Sequence, residues 1–324
     1  MADDTTSDFS KSKRARRHGW YGAKTLVKRV LSWRIPHLLV QSAASLTRSR
    51  MHVERLPAPA HVREVEARMA DVSFVMCNPN RCVIAKELYW GRGARPRLED
   101  QLPLDVFARL ARDAKLVLDI GAYTGIFSLL AARVSRDAQV HAFEMVPEVA
   151  KTAIDNVVAN DLLERVFVHV EGVGKDGDTA RIPSGRGGSA LPDFYSTELH
   201  FERGVSVPIR SIDVVVYEEF PEHLRDVPTV IKIDVEGTED VVLENAQGLL
   251  AANQPDILCE VIPGANLDAI YAALEPHGYR YFQFGEHELT RHAELDPSVR
   301  YRDWLFTTKS DDMLAALGVP IRPA

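Results

Sequence analysis

Cysteine is scarce in this chain, with Cys77, Cys82 and Cys259 the only three among 324 residues. They are too few and too scattered for a disulfide framework. Cys77 and Cys82 have no second Cys/His pair at zinc spacing, which excludes a structural zinc finger as well. They read as buried thiols in a reducing cytoplasm. Long apolar runs are also missing: none reaches the roughly 18 residues that a membrane-spanning helix needs. Arg16-Arg17 has the form of a twin-arginine signal, but Lys28, Arg29 and Arg34 interrupt the apolar region that would have to follow, so export is not expected. Between Phe9 and Val53 there is no acidic residue at all, against 11 Lys/Arg. The rest of the chain therefore carries 28 basic and 46 acidic residues, a balance of −18 within the total of −7. An acidic body behind a basic arm is not the profile of a nucleic-acid-binding core.

What is present divides into four stretches. Residues 1–56 form a basic extension, polar as far as residue 19, with a helical pattern over Tyr21 to Arg34. Leu26, Val27, Val30, Leu31 and Trp33 fall on one side of that helix and Lys24, Lys28 and Arg29 on the other. Two readings stay open for it: peripheral contact with an anionic inner membrane face, or packing on its own domain with a solvated basic side. Residues 57–114 read as a lead-in, with a short helix over Val62 to Met69, a hairpin around Asn78-Pro79-Asn80, and a helix over Leu102 to Leu110. From 115 to 310 strand-like and helical patterns alternate, which implies a Rossmann-like, mostly parallel α/β sheet with helices on both faces. Residues 311–324 read as a C-terminal tail. The long glycine-punctuated stretch from Lys175 to Asp226 breaks the alternation and ends in a strand-like Val205–Val216; an insertion of that length at the ligand end of a sheet is usually functional.

In an open α/β sheet, ligands bind beyond the carboxyl ends of the strands. The first such tip is Val117-Leu118-Asp119-Ile120-Gly121-Ala122-Tyr123-Thr124-Gly125, a strand running into a glycine turn and then into a helix with Ile126 and Phe127 in its first turn. The turn is spaced G-x-x-x-G. A pyrophosphate would meet the Asp119 carboxylate there, whereas a ligand carrying an ammonium and a sulfonium would suit it. Glu144, 23 residues after Gly121, ends the next strand and is placed to accept hydrogen bonds from a ribose diol.

Val117–Gly125, Phe143-Glu144 and the block Ile231-Lys232-Ile233-Asp234-Val235-Glu236-Gly237 resemble class I S-adenosylmethionine-dependent methyltransferases of the FkbM type. Val242–Ala246 and Pro255–Val261 are similar to that family too, so the likeness spans roughly residues 85–308. The resemblance implies a seven-stranded sheet with one antiparallel strand near its end, S-adenosylmethionine as cofactor, and methyl transfer to a hydroxyl of a sugar, glycolipid or natural-product scaffold. It implies that Gly121, Ala122 and Gly125 line the methionine moiety, that Glu144 holds the ribose, and that Met145 and the segment bearing Gly172 and Val173 border the adenine. Asp119, Tyr123, Phe127 and Asp234 complete the implied cofactor set.

Methyl transfer to an aliphatic hydroxyl gains from a base. Lys232, Asp234 and Glu236 share one face by period-2 alternation at the tip where the acceptor should meet the methyl group, and form the candidate catalytic set. Their rival role is to tie the loop down. Glu260, with Asp234 and Glu236, would suit magnesium, but no spacing demands it and no metal is assigned. His169 and His200 are alternative bases; His287 and His292 read as surface residues in a polar loop. Arg181, Arg186 and Tyr195 are candidates for contact with sugar or phosphate groups. Two other function classes stay in view, an NAD-dependent oxidoreductase and a non-catalytic scaffold keeping the fold; the oligomeric state is open.

Overall fold

The computed structural model describes residues 56–182 and 204–322. The helical pattern at Tyr21–Arg34 and the candidates Arg186, Tyr195 and His200 lie outside them.

The main sheet is built on β3 (Leu116–Ile120), β4 (Gln139–Phe143), β5 (Val166–His169), β9 (Thr229–Ile233), β10 (Asp256–Glu260), β11 (Arg280–Phe284) and β13 (Asp303–Thr307). Their spatial order is β5-β4-β3-β9-β10-β13-β11, and β13 alone of these seven runs opposite to the other six. This is the expected seven-stranded frame. Beyond β11 it is widened to nine strands by β12 (Leu289–His292) and β14 (Ile321–Arg322). The chain runs outward from β3 through β4 to β5, then returns to the other side of β3 for β9 and β10. The order thus reverses between β3 and β9, where such sheets open a ligand crevice.

Alternation along each central strand feeds two apolar layers. Val117, Val230, Leu258 and Leu305 join one; Leu118, Ile231, Ile257 and Phe306 join the other. The first is covered by α2 (Leu98–Ala111) and α3 (Ile126–Val134), the second by α6 (Glu239–Glu244), α7 (Gln247–Asn253) and α8 (Leu267–Leu274), once α1 (Val83–Gly91), α4 (Pro147–Ala159) and the short α5 (Ile212–Val214) are counted in chain order. By the same period, Asp119, Lys232, Asp234, Glu260 and Asp303 share the face of the first layer.

Several sequence expectations are corrected. Val62–Met69 is not a helix: β1 (Glu64–Met69) pairs antiparallel with β2 (Val72–Cys77), because Glu64, Glu66 and Arg68 alternate with Val65, Ala67 and Met69 at a strand period. The hairpin turns at Ala70-Asp71, both at positive φ (49° and 64°), the two-residue connection that matches strand twist. Asn78-Pro79-Asn80 instead leads into α1, whose first turn is capped by the Cys82 thiol. The expected strand Val205–Val216 stops at Arg210 as β8 (Val205–Arg210), which lies between β6 (Gly172–Val173) and β7 (Thr179–Ile182) in a small separate sheet. The helical stretch that follows Gly237 is two helices, broken at Asn245-Ala246. The C-terminal stretch is no tail, since α9 (Asp311–Ala316) buries Leu314 in the first apolar layer and β14 pairs with β12 in the main sheet. His292 stands not in a loop but on β12, its ring edge-on to Trp304 at 5.3 Å.

The lead-in is sewn to the body by two asparagines of α4 and its cap. Asn160 accepts from the Val75 N–H at 2.8 Å and donates to the Val75 carbonyl at 2.7 Å. Asn156 accepts from the Cys77 N–H at 2.7 Å and donates to the Thr124 carbonyl, inside the glycine turn, at 2.8 Å. Asn160→Ala strands both Val75 backbone groups and should cost about 2 kcal/mol, read as a fall of several degrees in thermal unfolding; an unchanged melting temperature would contradict this role.

Candidate active site

Glycine is required at 121 by contact rather than by turn shape alone. A Cβ there would stand 1.8 Å from the Asp234 carbonyl oxygen, and the residue has φ +75°. The tips of β3 and β9 are pressed together at this point, with the Asp234 N–H donating to the Ile120 carbonyl at 3.0 Å. Tyr123, an aromatic residue, is held at φ 51° in the left-handed region, and Glu236 at φ 57° on the facing loop. Such backbone is costly and persists only where the surroundings enforce it.

For Tyr123 the enforcing group is Glu144. Its side chain is buried at the end of β4, where one oxygen accepts from the Tyr123 N–H at 2.9 Å and the other from the Val146 N–H at 2.8 Å. Burial pushes this carboxyl up to about 7, the two N–H donors pulling the other way. Each oxygen keeps a further lone pair for a diol. For the facing loop the enforcing group is Glu239, which the sequence reading missed. It is buried at the first turn of α6 and reaches back to accept from the Gly237 N–H at 3.0 Å and the Val235 N–H at 3.3 Å. Its signal was an acidic residue just after Gly237-Thr238, at a helix start.

Between the two tips opens a cavity of about 1340 Å³. Of the sequence candidates, Gly121, Ala122, Tyr123, Phe127, Glu144, Met145, Gly172, Val173, Lys232, Asp234 and Glu236 line it. Asp119 and Gly125 do not. The Asp119 carboxylate is 1% exposed and is occupied by Ser128, whose hydroxyl donates at 2.5 Å and whose N–H donates at 3.0 Å. It fixes α3 behind the turn, and burial pushes it up to about 6 despite those donors. Gly125 sits at φ 83° as the cap of α3. His169 is also elsewhere, hydrogen-bonded to His141 at 3.0 Å and stacked on Phe143.

Lys232 stands at the centre of the acidic end. It is 3% exposed, with its Nζ 3.3 Å from Asp234 Oδ2, 3.2 Å from the Ile233 carbonyl and over the Phe127 ring at 5.4 Å. Burial alone would lower this ammonium, but Asp234, Asp303 and Glu260 outweigh it and hold it above its ordinary value. Asp303, Glu260 and Arg302, which faces Glu260 at 3.2 Å, also line the cavity and were not placed in the catalytic set from sequence. They come from strands far along the chain, brought together by the β10–β13 ladder, in which Glu260 is paired with Asp303. Among the described residues, no group of three or more His, Cys, Asp or Glu is arranged to hold a metal ion.

A sequence model of the FkbM methyltransferase domain matches residues 119–281, half of the chain. The chain belongs to the FkbM methyltransferase family. No protein of curated function matches it by sequence. Among solved structures, the FkbM methyltransferase of Methylobacillus flagellatus KT is 20% identical with a TM-score of 0.40, covering 60% of this chain; the chain spans 44% of that protein's length. A SAM-dependent methyltransferase from Agrobacterium tumefaciens is 14% identical with a TM-score of 0.42, over 79% of this chain and 73% of that one. An O-methyltransferase from Bacillus cereus in complex with SAH is 14% identical with a TM-score of 0.35, over 62% and 78%.

The cofactor of this methyltransferase is S-adenosylmethionine, and the residues present fit it. The Glu144 carboxylate faces the cavity with acceptor capacity for the ribose, the Gly121 turn leaves its backbone bare, and Met145, Gly172 and Val173 offer apolar surface for a base. Replacing Glu144 by Ala should weaken S-adenosylhomocysteine binding at least tenfold (~1.4 kcal/mol) in calorimetric titration; unaltered affinity would remove Glu144 from the cofactor site.

Proposed function

We propose that this methyltransferase transfers the methyl group to a hydroxyl oxygen, on a sugar, a glycolipid or a natural-product scaffold. The observation that supports this reading is the row of carboxylates that lines the cavity around Lys232, at the tips of β9 and β10 and the start of β13. A methyl group on a sulfonium is already activated, so the bound cofactor supplies the electrophile. What the chain must add is an acceptor oxygen held in line and relieved of its proton. Lys232, Asp234 and Glu236 are the proposed catalytic set: the ammonium orients Asp234, and the strand-tip carboxylates engage the acceptor hydroxyl. The cavity exceeds the ~300–1,000 Å³ of ordinary ligand sites, which leaves space for an acceptor beside the cofactor.

The test is incubation of the full chain with isotopically labelled S-adenosylmethionine and a panel of saccharides, glycolipids and hydroxylated polyketides, with products read by mass spectrometry. Labelled methyl ethers support the reading. Label found only on nitrogen or carbon contradicts it.

A second proposal rests on the basic pattern over residues 21–34: peripheral contact with an anionic membrane face, where a lipid-linked acceptor would be met. No helix among the described residues is long and apolar enough to cross a membrane. The full chain should then bind anionic liposomes, and a chain lacking residues 1–36 should lose that binding; equal binding by both would end the idea.

A further inference from the structure

The carboxylates at the strand tips are not equivalent. Asp234 is paired with Lys232, with 3.3 Å between Oδ2 and Nζ, and its side chain is 40% exposed. Glu236 sits on left-handed backbone at the rim of the cavity and is exposed. Asp303, paired with Glu260 across the ladder, also lines the cavity and faces Lys232 and, from α2, Asp100, but among the described residues no ion pair or hydrogen bond orients its side chain. Glu260 differs from all three. It ends β10, beside the tip of β9, and its side chain is 12% exposed yet lines the cavity. Arg302 Nη1 holds its Oε1 at 3.2 Å, and among the described residues no ion pair or hydrogen bond occupies Oε2. A largely buried carboxylate that lines the cavity and is oriented by a guanidinium is placed to meet an acceptor hydroxyl.

We infer that Glu260, oriented by Arg302, is the general base that takes the proton from the acceptor hydroxyl, while the Lys232–Asp234 pair positions the tip beside it. This rests on the O-methyl reading above. In the step the acceptor O–H bond breaks and its proton passes to Glu260 Oε2. The freed electron pair of the oxygen forms the bond to the methyl carbon, and the carbon–sulfur bond breaks with its pair staying on sulfur. The products are a methyl ether and S-adenosylhomocysteine, and the proton on Glu260 leaves to solvent through the cavity mouth. The charges around the group agree with this role. Burial and then Asp234 push Glu260 up to about 8, with Arg302 and Lys232 pulling down and Asp303 adding to the rise. The base must be ionised to act, so transfer should rise with pH, about tenfold per unit, up to about 8 and level off above it.

The experiment starts from the full chain saturated with S-adenosylhomocysteine and follows its glutamate side-chain carboxyls by carbon NMR from pH 5 to 9.5. One resonance should titrate near the upper end, and Glu260→Gln should remove it while changing S-adenosylhomocysteine affinity less than threefold. With a hydroxylated acceptor from the panel, Glu260→Gln should lower kcat about a hundredfold with KM within threefold, and abolish the rising limb of the pH profile. Glu260→Asp, which keeps the charge, should restore the limb at reduced kcat, and Asp234→Asn should slow the reaction but keep the limb. A Glu260 resonance titrating in the ordinary range near about 4.3, or a rising limb that survives in Glu260→Gln, overturns the inference. Failure of the wild type to bind S-adenosylhomocysteine at all would instead strike the cofactor site on which both readings stand.

Discussion

A buried ammonium organises the mouth of this protein. Lys232 sits on a central strand, 3% exposed, where an unpaired charge would be prohibitively costly. It is sustained by carboxylates from three strands: Asp234 just beyond β9, Glu260 at the end of β10 and Asp303 at the start of β13. Glu260 and Asp303 are in turn raised by burial and by the Asp234 charge, while Lys232 pulls both down, so altering one member shifts the others. The antiparallel entry of β13 is what permits this. It brings the beginning of a strand, rather than its end, to the same edge as the tips of β9 and β10.

The second constraint is the contact between the first and fourth strand tips. Gly121 has no room for a side chain against the Asp234 carbonyl, so the turn that bares its backbone to the cofactor is seated on the loop that carries the carboxylates. On the proposed reading, cofactor side and acceptor side are thereby fixed relative to each other. That is what a displacement reaction requires, since most of its acceleration comes from holding the reacting atoms in line. Glu144 and Glu239 stabilise the two loops in the same way, each accepting backbone N–H groups from a segment with a left-handed residue.

The sheet was legible in the sequence because its strands are buried on both faces and read as short apolar runs between helical periods; Leu116–Ile120 and Thr229–Ile233 are buried throughout. The tips were legible because glycine and acidic residues follow those runs directly. The lead-in was not, since Glu64–Met69 mixes charged and apolar residues at a spacing that fits a helix or an edge strand until its partner, Val72–Cys77, is known. Asp119 shows the limit of reading a motif by its residue types. It stands in the signature turn, yet its carboxylate faces Ser128 rather than the cavity, and only the direction of the side chain distinguishes the two roles. Arg302 and Asp303 were invisible for another reason. No local pattern marks them, and their place beside Glu260 follows from strand pairing across more than forty positions.

In-line transfer on the proposed reading requires the reacting sulfur to lie between the Gly121 turn and the carboxylate tips of β9 and β10. A crystal structure of the complex with S-adenosylhomocysteine tests it most directly. The ribose should lie on the Glu144 carboxylate and the thioether sulfur should turn toward Asp234 and Glu260, with open cavity beyond it. A ligand bound away from Glu144, or one whose sulfur faces away from those two tips, would contradict it.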